Sequence, residues 1–280
     1  MITNPFAFLP AIRPGHQAKG FVAGLGRETV LFLSVVGDCA RMFSAVIHCL
    51  WYNRARPEVF TTQLYHIGYL SLPIVLVTGV SMGLVMAVQA HATLIRFNAE
   101  VMSGPMVMFS LVSQIGPSMT ALLVAGRAGS NIAAELGTMK VTEQIDALRV
   151  MGTDPIAYLV APRVMALFVL MPVLGALAAF VGTFAGGFFL TKLWDVDSGA
   201  YWFQTQRYVS AWDILTGIAK CPILGLFMGI IACRQGLLTK GGATGVGESC
   251  TRAVVQGCMV VLVMNFVLTL LTNKIYHLFW

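Results

Sequence analysis

Four long stretches of this chain carry no Asp, Glu, Lys or Arg. They run from Glu58 to Arg96, from Glu100 to Arg127, from Arg163 to Lys192 and from Arg252 to Lys274. A helix needs about 20 residues to cross roughly 30 Å of hydrocarbon, and each gap is at least that long. Ile214 to Cys233 is a fifth apolar stretch, interrupted only by Lys220. Charged residues make up 11% of the chain, against about 25% in an average soluble domain, so a water-soluble fold could not hide this much apolar surface. The runs do not alternate with period two, which excludes an outer-membrane barrel. The chain is therefore expected to be an all-α integral membrane protein with spans over 66–95, 103–134, 156–191, 214–236 and 253–277.

Residues 27–52 are of a different kind. Phe32, Val35, Val36, Cys39, Met42, Phe43, Val46, Ile47 and Leu50 share one helical face, and Arg27, Ser34, Asp38, Arg41, Ala45 and His48 share the other. That pattern describes an amphipathic helix lying in the membrane interface. The alternative is a sixth span with its charges turned inward. Asp38 and Arg41 sit mid-segment and would be costly in lipid, which weighs against it.

With five spans and the N-terminus inside, thirteen Lys and Arg, among them Arg127, Lys140, Arg149, Arg163 and Arg252, fall on the cytoplasmic side. Arg96, Lys192, Arg207, Lys220 and Lys274 fall outside. The bias sets the N-terminus in the cytoplasm and the C-terminus outside. The net charge of +6 belongs to loops beside anionic headgroups and implies no nucleic acid. Met1 to Gln17 lacks the pattern of a signal peptide. Small residues recur every four positions along Ala121, Ala125, Gly129, Ala133 and Gly137, along Gly175, Ala179, Thr183 and Gly187, and along Gly217, Cys221, Gly225, Gly229 and Cys233. Such ridges let membrane helices approach closely, within a compact bundle or a dimer.

No catalytic site emerges. There is no P-loop, so the chain does not bind ATP through one. The glycine-rich stretch 241–247 lacks the required Lys and reads as a loop between spans. Six cysteines without a C-x-x-C and five histidines without ligand spacing give no metal site. Gly79-Val80-Ser81-Met82-Gly83 fits G-x-S-x-G, but it lies inside an apolar helix with no strand before it, so it reads as a packing face.

Between the second and third spans, residues 140–152 form a short amphipathic helix. Val141, Ile145, Leu148 and Gly152 share a face, while Thr142, Glu143, Asp146 and Arg149 point elsewhere. Gly152 suits a C-cap, and Asp154-Pro155 stops the helix. From spacing alone it is either an ordinary interfacial loop helix or an element that a soluble partner grips.

The run Gly116-Pro117, Thr120 to Ser130, Ala133 to Met139, Thr142 to Leu148, Met151-Gly152, Asp154-Pro155 and Pro162-Arg163 resembles the MlaE/YrbE permease family. The likeness covers about fifty contiguous residues, and Asp197-Ser198-Gly199 fits it too. It implies the membrane subunit of an ABC transporter that moves phospholipids between the bacterial inner membrane and a periplasmic carrier, in support of outer-membrane lipid homeostasis. Sterols or other apolar compounds are the alternative cargo, and a non-transporting membrane anchor for an MCE-domain ring is the alternative role. The implied assembly is a homodimer with a cytoplasmic ABC ATPase (MlaF-like), a periplasmic MCE-domain ring (MlaD-like) and, commonly, a STAS-domain protein (MlaB-like). ATP would be bound by the ATPase, and the permease itself would need no cofactor. Glu143, Gln144, Ile145, Asp146, Leu148 and Arg149 are the expected coupling residues. Arg96, Glu100 and Lys220, toward the outer side, are the candidate headgroup ligands, because charge inside a membrane protein is a default site candidate. Lys220 snorkelling and an Arg96–Glu100 pair are the structural alternatives. Arg127 and Glu135 read as structural pairing residues. Members of that family often carry an Arg-Glu pair before the Gly-Pro. Here the positions are Ser113, Gln114 and Ile115, so no role of that pair carries over.

Overall fold

The computed structural model describes residue 30, residues 33–48 and residues 57–279. The chain divides into two units, Met1–Ser44 and Ala45–Trp280. Of the segment 27–52, residues 27–29, 31–32 and 49–52 lie outside the described residues. Residues 33–48 are helical, with Arg41 donating to Asp38 one turn away. Val36 and Phe43 on its apolar face are exposed.

Among the described residues there is no strand. Five helices are long and apolar enough to cross a membrane: Val59–Phe97, Glu100–Val141, Ile156–Leu193, Ala211–Leu237 and Gly242–Tyr276. They are called here the first to fifth spans. Two short helices lie at opposite ends of the bundle. Gln144–Val150 joins the second span to the third, and Ser198–Tyr208 joins the third to the fourth.

Glycine determines how the spans pack. A Cβ on Gly83 would come within 2.0 Å of the Gly182 carbonyl oxygen, and one on Gly79 within 2.8 Å of that of Ala178. The first and third spans therefore meet backbone to backbone. This accounts for the G-x-S-x-G match, whose two glycines lie on a helix–helix seam. The sequence ridges are used inside the chain as well. Gly217 abuts the Val112 carbonyl, Gly175 the Cys221 sulfur, and Gly225 Met171. Gly83→Val should cost about 3 kcal/mol, the upper range for overpacking, and lower the melting temperature in detergent by roughly 10 °C. Gly126→Ala, where a Cβ meets nothing within 4 Å, should leave it nearly unchanged.

The helix Ser198–Tyr208 caps one end. The Asp197 carboxylate accepts from the backbone N–H of Gly199 and Ala200, which supplies the N-cap. Tyr201 is fully buried with Val107, Leu111, Leu190 and Val196, and burial pushes its phenol pKa up to about 12.

The spans are not uniform α-helices. The first widens into a π turn at Tyr65–Tyr69, the second at Leu111–Ile115 and Ala125–Gly129, and the third begins with one at Ile156–Val160. Such turns often mark functional positions, and here their carbonyls accept from three cations, Lys220, Arg127 and Arg163.

Candidate functional site: a buried ammonium and a tethered short helix

Lys220 lies nine residues into the fourth span, about 14 Å along the helix from Ala211. It is 3% exposed. Its ammonium donates to the Ser113 carbonyl at 3.0 Å and to Thr269 Oγ1 at 3.2 Å. The first acceptor has a backbone origin. Pro117 stands four residues after Ser113 and has no N–H, so the helical bond that would occupy this carbonyl cannot form. Gly217 lets the fourth span press against that same turn. Thr269 in turn contacts the Gln114 side-chain oxygen at 3.0 Å and the Asn265 carbonyl at 2.8 Å.

The cluster thus joins the second, fourth and fifth spans, and its acceptors are neutral. Among the described residues no carboxylate pairs with Lys220. The Ser113 hydroxyl and the Asn265 side-chain oxygen are buried without a partner. The ammonium keeps a spare donor beside these two unsatisfied polar groups.

Arg96 and Glu100 do not join it. Arg96 is exposed in the turn Ile95–Phe97 that closes the first span, and Glu100 is half-buried at the start of the second. They form no ion pair with each other. Glu100 precedes Ser113 by thirteen residues, about 20 Å along the helix, so the three charges lie at two levels.

At the opposite end, Gln144–Val150 is held in place by several contacts. Ile145 is fully buried and fastens the helix to the bundle. Lys140 donates to Asp146 at 2.7 Å, and Arg149 approaches the same carboxylate at 3.3 Å. Glu143 enters the helix at φ 60°, a left-handed conformation that L side chains adopt at a cost. Gly152 at φ 73° leaves it: its N–H bonds to Arg149 O, and the N–H of Thr153 bonds to Leu148 O. Those two bonds form a Schellman cap. Gln144 is exposed and Leu148 half-buried. Val150 is 90% exposed and Met151 69%, an apolar pair that the sequence reading did not single out.

The hydrogen bond from Lys140 holds the Asp146 carboxyl below the ordinary carboxylate range, and the charges of Lys140 and Arg149 add to it. A lowered folded pKa means the tether is complete above the unfolded value near 3.8 and is lost as pH falls through the folded value. Hydrogen-exchange protection factors over 144–150 should therefore be constant between about pH 5 and 8.

Two further cations bind the ends of spans. Arg163, 5% exposed at its side chain, donates to Leu159 O at 2.8 Å and to Glu135 at 3.0 Å. Asn131 also donates to Glu135. Arg127 reaches Ser71 of the first span at 2.6 Å. Arg127 and Glu135 thus pair with other spans, not with each other.

This sequence matches the family model described as Permease MlaE over residues 60–271, which include every residue of the Lys220 cluster and the short helix. The chain belongs to the MlaE permease family. A probable ABC transporter permease protein of Rickettsia felis is 36% identical over 255 residues, 90% of this chain and 97% of that one. The intermembrane phospholipid transport system permease protein MlaE of Haemophilus influenzae is 36% identical over 251 residues, 89% and 96% of the two chains. The chloroplastic protein Trigalactosyldiacylglycerol 1 of Arabidopsis thaliana is 35% identical over 207 residues, 74% and 59%. Like its relatives in the MlaE family, this chain is a multi-pass membrane permease.

Proposed function

We propose that this permease is the membrane subunit of an ATP-driven transporter that moves phospholipids between the inner membrane and a periplasmic MCE-domain carrier. The observation that carries the reading is the Lys220 ammonium, which among the described residues is held by neutral acceptors and by no carboxylate. A lipid phosphate supplies the missing anion, and the unpartnered Ser113 and Asn265 oxygens are available to the rest of a headgroup. Arg96 and Glu100 sit at the rim, where a headgroup would pass on its way to the carrier. The phospholipid transport named for the Haemophilus relative fits this chemistry.

The chain runs with its N-terminus in the cytoplasm and its C-terminus outside, following the bias of its basic residues. Gln144–Val150 then faces the cytoplasm, where an ABC ATPase, with or without a STAS-domain protein, takes hold of Val150, Met151 and the polar side chains of Glu143, Gln144 and Arg149. The fifth span is the least covered by its own chain and exposes Leu262, Val263, Phe266 and Leu270, a face for the second copy in a homodimer. ATP binds the partner, and this subunit contributes no catalytic group.

The test is purification with the native partners, followed by lipid mass spectrometry and an ATPase assay. Lys220→Met should reduce co-purified phospholipid about tenfold, the worth of one charge-assisted hydrogen bond. Glu100→Ala should change it by less. Unchanged phospholipid in Lys220→Met rejects the headgroup role, and a sterol in its place identifies the alternative cargo.

A further inference from the structure

We infer that the cleft beside Arg127 is a second headgroup site, one that binds the phosphate of a phospholipid in the leaflet on the Gln144–Val150 side. The inference rests on the lipid-transport reading above and extends it to the other half of the membrane.

Arg127 sits in the π turn Ala125–Gly129 of the second span. Its guanidinium crosses to the first span, where Nη1 donates to Ser71 Oγ at 2.6 Å and lies 3.5 Å from the Ile67 carbonyl. Nη2 lies 3.4 Å from the His66 carbonyl. His66 and Ile67 belong to another π turn, Tyr65–Tyr69. All three acceptors are neutral, two of the bonds are long, and no carboxylate pairs with Arg127 among the described residues. The nearby Glu135 is engaged by Arg163 and Asn131. Arg127 therefore shares two features with the buried Lys220, although it is itself only half-buried: it is anchored to a π turn and left without a counter-ion.

It also borders a space. A cleft of about 330 Å³ lies between the second and fifth spans, lined by Arg127, Ser130, Asn131, Ala134 and Cys250. The cleft is open to the surface of the bundle, as a site entered sideways by a headgroup would be. A guanidinium presents five donors in a planar fork suited to phosphate, and Asn131 keeps a second amide N–H beyond the one given to Glu135.

The depth fits a lipid. Ser113, the acceptor of Lys220, and Arg127 are fourteen residues apart on one helix, about 21 Å along its axis. With Glu100 at the rim, Ser113 lies about 20 Å along the span and Arg127 about 41 Å, so across a core about 30 Å thick Lys220 sits near mid-depth and Arg127 at the headgroup level of the far side. The second span then carries an anion station at each level, and a phospholipid that changes leaflet along it meets both.

The experiment uses the full chain in phosphatidylcholine nanodiscs doped with phosphatidylglycerol bearing a photoactivatable group near its headgroup. Adducts are mapped by mass spectrometry. We expect adducts at two levels, one around Asn131 and Cys250 and one around Lys220. Arg127→Met should lower the first set about tenfold or more and leave the second. Ala134→Trp fills the cleft while retaining every bond Arg127 makes, so it decides the matter if Arg127→Met does not fold. Adducts at the Lys220 level alone, or cleft adducts indifferent to both variants, overturn this inference and leave the proposed function standing. Cleft adducts displaced by excess inorganic phosphate identify a free-phosphate site and overturn the lipid assignment. Absence of adducts at both levels overturns the transport reading as well.

Discussion

Glu135→Ala should destabilise the bundle more than Arg163→Met, although the two side chains form one ion pair. The asymmetry follows from exposure. Arg163 is 5% exposed at its side chain and Glu135 38%. Removing the carboxylate takes the charged partner from a buried guanidinium between the second and third spans and leaves it the Leu159 carbonyl alone. Breaking a buried pair from that side costs about 3–5 kcal/mol. Removing the guanidinium leaves a carboxylate that still reaches solvent and still accepts from Asn131, so the loss should be nearer 1 kcal/mol. Because both residues serve one contact, the double variant should lose less than the sum of the single losses. Thermal unfolding of the purified protein measures this, at about 2–4 °C per kcal/mol for a chain of this size. Equal losses from the two single variants would show that Glu135 is as dry as Arg163.

The second large effect is expected at the other face of the same end. Val150→Glu and Met151→Glu should each abolish recruitment of the ATPase while the bundle stays folded. Both side chains project from the bundle at 90% and 69% exposure, so a charge there costs the permease little. In a partner's groove the same charge would be desolvated without a counter-ion. Central apolar contacts in an interface are worth about 2–4 kcal/mol on truncation alone, a loss of roughly thirtyfold or more in affinity. Glu143→Lys should also uncouple ATP hydrolysis from lipid movement, because it reverses a charge at the entrance of the helix. Ile145→Ala should act differently. Ile145 faces inward at 0% exposure, so its loss should loosen the helix from the second span and show first as lowered hydrogen-exchange protection across 144–150. Co-purification of the ATPase at wild-type levels with Val150→Glu would remove this pair from the interface.

The charge-free gaps located five long apolar helices because burying charge in hydrocarbon is so costly that its absence is diagnostic. Gly152 and Asp154-Pro155 were equally legible, since a Schellman cap and a stop signal are local chemistry. The Lys220 cluster was only half legible. A lone Lys in an apolar run draws notice, but its acceptors lie 107 and 49 residues away in sequence. The one local signal was Pro117, which frees the carbonyl four residues earlier. The π turns were not legible, because each is one extra residue in a helix whose composition does not change. Arg96, Glu100 and Lys220 looked like one group because each lies toward the same end of a span. The axial rise of a helix separates residues that topology assigns to a common side.

The seam between Gly83 and Gly182 has an evolutionary consequence. Where a new side chain collides with another side chain, the neighbour can shrink and a second substitution restores the fit. Where it collides with a peptide carbonyl, as a Cβ on Gly83 would, no residue choice on the third span removes the obstacle. A lineage that loses this glycine has no compensating route open to it in the partner helix. Selection for intragenic suppressors of Gly83→Val should therefore return reversion to glycine and no changes at Gly182.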